Sequence, residues 1–199
     1  FLEGSPETIL QIGAMSDMAK YYGLPGTSAG CLSDAKKPGM QSVLEKTLTT
    51  LPLVLAGADV VQGVGLIESS MTLYLPPLLI DNEIGRLCAR IRQGVDVGPE
   101  KDYFADIAEV GHGGHFLKQK NTRRAFRSDE FYLSDLCDRN SYDEWDQLGR
   151  RDLIDQAGEK VRAILDSEPS HPLPASVEKT IREIMEEAGR KLGERPVSA

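Results

Sequence analysis

The sequence predicts an α/β fold, with βα units around a short parallel sheet followed by helices. Three observations predict it. Helix-like and strand-like periodicities alternate over residues 5–93. The links between these segments are a few residues long, as right-handed βαβ crossovers require. The run Asp59-Val60-Val61-Gln62-Gly63-Val64-Gly65 is apolar, β-branched and closed by glycines, the signature of a short buried strand.

The elements follow in order. A first helix is predicted from about Ser5 to Tyr22: Ser5 can cap it, Pro6 suits the first turn and Glu7 complements the N-terminal dipole. Ile9, Ile12, Met15, Ala19 and Tyr22 recur at helical spacing, and Gly23 stops the helix. Leu24 to Ala29 reads as a short buried strand leading into a loop, Gly30 to Pro38. A second helix is predicted from Gly39 to Ala56, with Val43, Leu44, Thr47, Leu48 and Leu51 on one face and Gly57 at its end. After the Asp59–Gly65 strand comes a loop, Leu66 to Leu73, with Glu68, Ser69, Ser70 and Thr72. A third helix then runs from Pro76 to Gln93, with Leu79, Ile80, Ile84, Leu87, Cys88 and Ile91 as its apolar positions.

Beyond Gly94 the pattern changes. A helix is expected over Pro99 to Val110, a turn at Gly111-His112-Gly113-Gly114-His115-Phe116, and irregular polar chain over 117–140. Two more helices are expected, Tyr142 to Asp166 and Ser176 to Leu192, joined by the Pro-rich stretch Pro169 to Pro174. No strand is predicted after Gly65. A closed βα barrel needs eight strands, and this chain offers two, with a third at most. Either the sheet is open or the remaining units lie elsewhere. The opening Phe1-Leu2-Glu3-Gly4 lacks Met and runs straight into structured-looking sequence, which reads as a cut through a longer protein.

Composition narrows the function classes. The 199 residues are 40% hydrophobic and 27% charged, with a formal charge of -8. Spread acidic residues argue against a nucleic-acid surface. The one basic cluster, Lys118, Lys120, Arg123, Arg124 and Arg127, reads first as a solvated segment. Cys31, Cys88 and Cys137 are scattered, form no CxxC pair and fit a reducing, cytoplasmic compartment. No apolar run approaches the ~18–20 residues of a membrane span.

In parallel α/β units, chemistry gathers on the loops after the C-terminal strand ends. Asp34 and Lys36 in the first such loop could pair as a surface salt bridge or serve a site. Glu68 in the second could face a cationic ligand. The glycines Gly63 and Gly65 lack the third glycine of a dinucleotide fingerprint and are read as closing a strand beneath a ligand. His112 and His115 could pair on a metal, but no further ligand lies nearby, so a close-packed turn is preferred and no metal site is assigned. Asp81-Asn82-Glu83 sits mid-helix, either capping and bonding between helices or serving a site.

Several stretches taken together resemble one family. Tyr21-Tyr22-Gly23-Leu24-Pro25, Gly30-Cys31-Leu32-Ser33-Asp34-Ala35-Lys36, and Leu51-Pro52 through Ala58-Asp59 are similar to trimethylamine:corrinoid methyltransferases. So are Gly65-Leu66-Ile67-Glu68-Ser69-Ser70-Met71-Thr72, Leu79 to Ile84, Gly113 to Leu117 and Thr122-Arg123. The resemblance covers about residues 5 to 165. It implies a TIM (β/α)8 barrel more than twice this length. Residues 1–95 would be its last βα units and 96–199 a C-terminal helical extension. It also implies methyl transfer from a methylated amine to the cobalt of a corrinoid held by a small partner protein. Trimethylamine-specific members carry pyrrolysine in the loop matching Gly30 to Ser33, where this chain has ordinary residues. That departure shifts the expected donor toward a quaternary amine such as glycine betaine, whose nitrogen is already cationic. Cys31, Asp34, Lys36, Glu68, Tyr74 and Phe116 are then expected around the substrate, the aromatics facing its ammonium group. Gly63, Gly65 and Ser69 are expected beside the corrinoid. The rival expectation is a non-catalytic module that binds a partner or self-associates as a homo-oligomer, since an incomplete sheet leaves a strand edge open.

Overall fold

The computed structural model describes residues 2–167 and 171–192. Helix α1 (Pro6–Tyr21) opens on the expected cap, Ser5, whose side chain accepts the Thr8 N–H. Strand β1 (Thr27–Ala29) pairs in parallel with β2 (Val60–Gln62), in the register Ser28 against Val61. Helix α2 (Met40–Ala56) connects them and ends on Gly57 in the left-handed region, φ 82°. This is the predicted βαβ unit, with both strands shorter than their sequence runs. Asp59 Oδ2 accepts the Gly26 N–H at 2.7 Å and ties the start of β2 to the start of β1.

The segment after Gly65 departs from expectation. It holds two short strands, β3 (Leu66–Ile67) and β4 (Thr72–Leu73), paired antiparallel as a hairpin. Glu68, Ser69 and Ser70 form its tip and all three lie in the left-handed region, at φ 56°, 51° and 64°. Such a run of non-glycine residues costs about 1–2 kcal/mol per residue, so no local preference announces it. Helix α3 (Leu75–Gln93) follows, burying Ile80, Ile84 and Cys88 as its periodicity predicts.

Helix α2 turns a different face inward than its apolar spacing suggests. Leu44 and Leu48 are exposed, while Ser42, Lys46, Thr49, Thr50 and Leu53 are buried. On α1, Met15 is exposed and Thr8 and Ser16 are buried beside Ile12. For α2 the reason lies in the loop after β1, whose Cys31 and Leu32 N–H groups take the Thr50 and Thr49 hydroxyl oxygens as acceptors, which aliphatic side chains lack. On α1, Thr8 donates to the Leu2 carbonyl and Ser16 to the Ile12 carbonyl.

The later half is more broken than predicted. Pro99–Lys101 is a single 3-10 turn before α4 (Phe104–Val110). The chain over 117–140, expected to be irregular, contains the tail of a 3-10 turn (Phe116–Lys118) and helix α5 (Lys120–Phe126). The single helix expected over 142–166 is interrupted between α6 (Tyr142–Gln147) and α7 (Leu153–Leu165), where Gly149 and Arg150 take positive φ. A hydrophobic cluster of Val54, Ile80, Ile84, Cys88, Leu136 and Ala157 joins α2, α3, the 130s and the start of α7. The chain divides into two compact units, Phe1–Val161 and Arg162–Ala199. The second carries α8 (Ala175–Leu192), an amphipathic helix on which Val177, Ile181, Ile184 and Met185 are exposed. Part of the Pro169–Pro174 stretch lies outside the described residues. No helix among the described residues is long and apolar enough to cross a membrane.

Candidate functional site

The two loops at the C-terminal ends of β1 and β2 are stitched to each other. The Glu68 N–H donates to the Ala35 carbonyl at 2.9 Å, and the Ser69 N–H donates to the Ser33 carbonyl at 3.0 Å. The Ser69 hydroxyl donates to Asp34 Oδ1 at 2.6 Å. Asp34 also accepts the N–H groups of Glu3 and Gly4, each at 3.0 Å, so it ties the N-terminal segment to both loops. Burial alone would raise the Asp34 carboxyl, but the bonds from Ser69, Gly4 and Glu3 and the nearby Lys36 charge outweigh it. They hold the carboxyl below its ordinary value.

Three carboxylates thus have structural duties. Besides Asp34, Glu45 on α2 accepts the Ser33 hydroxyl at 2.8 Å and the Asp34 N–H at 2.9 Å. Glu3 accepts the Ser70 hydroxyl at 2.7 Å. Glu68, at the hairpin tip, is exposed and accepts only the Thr72 hydroxyl at 2.8 Å. Glu3 and Glu68 thus accept one side-chain hydrogen bond each, and Glu68 is the exposed one of the two. Of the two readings of Lys36, the surface ion pair with Asp34 does not form. Its Nζ donates to the Asp34 carbonyl at 2.7 Å, and the side chain is exposed.

Cys31 sits beneath these loops at 1% exposure, in the left-handed region at φ 52°. Its N–H donates to Thr50 Oγ1 at 2.9 Å, and its Sγ lies 3.2 Å from the same oxygen. Burial, reinforced by the Asp81 charge, pushes its thiol up to about 11. At neutral pH it is a protonated, shielded thiol rather than a nucleophile.

The glycines are turn residues under close packing. Gly63 has φ 97°, and a Cβ there would stand 2.8 Å from the Gly30 carbonyl oxygen. Gly65 has φ 82°, and a Cβ there would stand 2.8 Å from Leu73 Cδ1. Their Cβ positions face this chain's own atoms.

The structure therefore brings Cys31, Asp34, Lys36, Gly63, Gly65, Glu68 and Ser69 to one end of the β1–β2 sheet. Tyr74 joins them at the edge: it caps α3, is 46% exposed, and donates its N–H to the Gly65 carbonyl at 3.0 Å. Phe116 is 44% exposed in a 3-10 turn that packs chiefly on α5, and no hydrogen bond links that turn to the loops. His112 and His115 are exposed, and no group of three or more metal-ligating side chains occurs among the described residues.

Sequence reasoning missed Lys46. Its Nζ contacts Asp81 Oδ2 at 2.5 Å, with the two side chains 1% and 0% exposed. The same Oδ2 accepts the Gly65 N–H at 2.7 Å, while Oδ1 accepts no hydrogen bond. Burial raises the Asp81 carboxyl, against the opposing pull of Lys46 and the Gly65 N–H. Asp81 is thus the interhelical member of Asp81-Asn82-Glu83. One signal could have exposed the pair: Lys46, Thr49, Thr50 and Leu53 share one helical face, and Asp81 is costly mid-helix unless bonded.

Comparison with known proteins places this arrangement. The family profile for trimethylamine methyltransferase (MTTB) matches residues 2–193. The chain is 38% identical over 191 residues to the trimethylamine methyltransferase MttB2 of Methanosarcina mazei, covering 96% of this chain and 38% of that protein. It is 33% identical over 190 residues to trimethylamine methyltransferase MttB of Desulfitobacterium hafniense, covering 96% of this chain and 38% of the relative. It is also 30% identical over 192 residues to a glycine betaine methyltransferase of the same species, covering 96% of this chain and 40% of that relative. The chain thus spans about two fifths of the length of these curated relatives. With the profile matched from the first helix to the last, the chain belongs to the trimethylamine methyltransferase family.

Proposed function

We propose that the protein containing this chain moves a methyl group from a quaternary amine, such as glycine betaine, to the reduced cobalt of a corrinoid carried by a separate protein. The chain would supply the last βα units of a TIM barrel and the helices after it, in a cytoplasmic enzyme. Family membership and the parallel β1–β2 pair with its stitched loops support this reading. The corrinoid, as methyl acceptor, supplies the nucleophile.

What carries the choice of donor is the chemistry of the loop after β1. A tertiary amine departs poorly until its nitrogen is made cationic, which calls for an electrophile in the site. In Gly30-Cys31-Leu32-Ser33 the polar side chains are a buried thiol against Thr50 and a hydroxyl donated to Glu45. Neither is free to activate an amine. A quaternary donor needs no activation: the C–N bond breaks with its electron pair staying on nitrogen, and a neutral amine leaves. Such a substrate needs orientation and exclusion of water. Glu68 offers a carboxylate to the ammonium group, and Tyr74 offers an aromatic face at the rim.

The test uses full-length enzyme, a reduced corrinoid protein and a panel of methylated amines, read by methyl–cobalt absorbance. Methylation from a quaternary donor is expected. Turnover with trimethylamine alone would overturn the donor assignment, and no turnover with any donor would overturn the function.

A further inference from the structure

We infer that Lys46 and Asp81 are a positioning pair, clamping the Gly65 neck of the β3–β4 hairpin and so fixing the Glu68 carboxylate against the loop after β1. This rests on the reading of that hairpin as part of the substrate site. Asp81 Oδ2 is a shared acceptor: Lys46 Nζ at 2.5 Å from α2, and the Gly65 N–H at 2.7 Å from the hairpin. Gly65 is the neck of the hairpin in both directions, since its carbonyl accepts the Tyr74 N–H at 3.0 Å. Three to five residues further along the chain, the left-handed Glu68–Ser70 tip is held from the other side by Asp34, Ser33 and Ala35.

Lys46 also reaches the first loop through its own backbone. Its carbonyl accepts the hydroxyls of Thr49 and Thr50, at 3.1 and 2.6 Å. Those oxygens in turn accept the N–H groups of Leu32 and Cys31, at 3.1 and 2.9 Å. One turn of α2 therefore holds the loop after β1 through threonine hydroxyls and the loop after β2 through the Lys46–Asp81 pair. Stability alone is a poor reason for such a pair, because an apolar replacement of similar volume is often neutral or stabilising. What an apolar pair cannot supply is an acceptor for the Gly65 N–H.

Two double variants of the full-length enzyme separate acceptor from charge. Lys46→Met with Asp81→Leu removes both, and Lys46→Met with Asp81→Asn removes the charges but keeps a side-chain carbonyl for Gly65. A displacement of about 1 Å at a reacting group can cost on the order of 10²-fold in rate. The leucine double variant is therefore expected to lose about 100-fold in kcat/KM, and the asparagine one to recover at least about tenfold of that loss. Hydrogen exchange should show residues 65–73 deprotected in the leucine variant, with α2 protected in both. Equal activity and equal protection of 65–73 in the two variants would overturn the inference. So would loss of cooperative unfolding in both, which would make the pair a stability element only. If the unmodified enzyme transfers no methyl group, the functional reading fails and the exchange comparison alone decides the role of the pair.

Discussion

Removing the Asp34 carboxylate should uncouple three pieces of chain at once. Its acceptors hold the Glu3 and Gly4 N–H groups and the Ser69 hydroxyl. Hydrogen bonds to a charged group contribute about 1.5–3 kcal/mol each, and less where the freed donors can turn to water. Asp34 is half-buried, so Asp34→Ala should cost about 2–4 kcal/mol in total. Asp34→Asn should cost about half of that, since an amide oxygen replaces Oδ1 but its NH2 opposes the Gly4 N–H. The pH dependence has a defined sign. The folded state holds this carboxyl below its ordinary value of 3.8, so folding favours the ionised form. Its contribution is complete above that value and disappears as pH falls through the lowered one. Urea unfolding of wild type and Asp34→Ala across a pH series measures both effects: a clear gap at neutral pH, narrowing below pH 3.8. A gap smaller than about 0.5 kcal/mol at neutral pH, within the range of an ordinary surface substitution, would refute the pin. A gap that persists unchanged at low pH would refute its ionic character.

Three other outcomes are expected. Gly63→Ala should lower stability by about 2 kcal/mol or more, since φ is 97° and the new Cβ would stand 2.8 Å from the Gly30 carbonyl oxygen; a thermal midpoint equal to wild type would contradict this. Under native alkylation near neutral pH followed by peptide mass spectrometry, half-buried Cys137 should label first. Cys31, buried and pushed up to about 11, should label last, and early labelling of Cys31 would contradict its placement. Glu68→Gln in the full-length enzyme should raise KM for a quaternary ammonium donor about tenfold or more, of the order of one lost charge-assisted contact, and change kcat less. An unchanged KM would remove Glu68 from the substrate site.

Much of the first unit was legible because its periodicity and its packing agree. Ile80, Ile84 and Cys88 recur on one face of α3 and are buried there. The cap at Ser5, the stop at Gly57 and the parallel strands followed from local chemistry in the same way. The α2 face was not legible, because apolar spacing assumes that what is buried is apolar. Its inward stripe serves N–H groups of Cys31 and Leu32 and the charge of Asp81, so Thr49, Thr50 and Lys46 occupy places where leucine would leave those groups unsatisfied. The hairpin was hidden for another reason. Left-handed residues are normally signalled by glycine or asparagine, and Glu68-Ser69-Ser70 contains neither. Beside its local bonds from Met71 and Thr72 to Glu68, it is held by tertiary bonds to Ser33, Ala35, Asp34 and Glu3, which are far away in sequence.

The same distinction sorts the candidate site. From sequence, Asp34 and Glu68 have equal standing as carboxylates after strands. In three dimensions they have opposite roles. Asp34 has three donors on its two oxygens, so turning it toward a ligand would release the N-terminal segment and the hairpin together. Glu68 has one donor, the hydroxyl of Thr72 in its own hairpin, and its side chain is exposed. The strained backbone beneath it is fixed at the neck by Gly65 on Asp81 and at the tip by Ser69 on Asp34. Strain at a functional loop persists only when its surroundings over-determine it. Asp34, Glu45 and Asp81 are committed to that task, and Glu3 is half-buried on Ser70. Glu68 is therefore the exposed carboxylate of the cluster, which is why the proposed function assigns the cation to it.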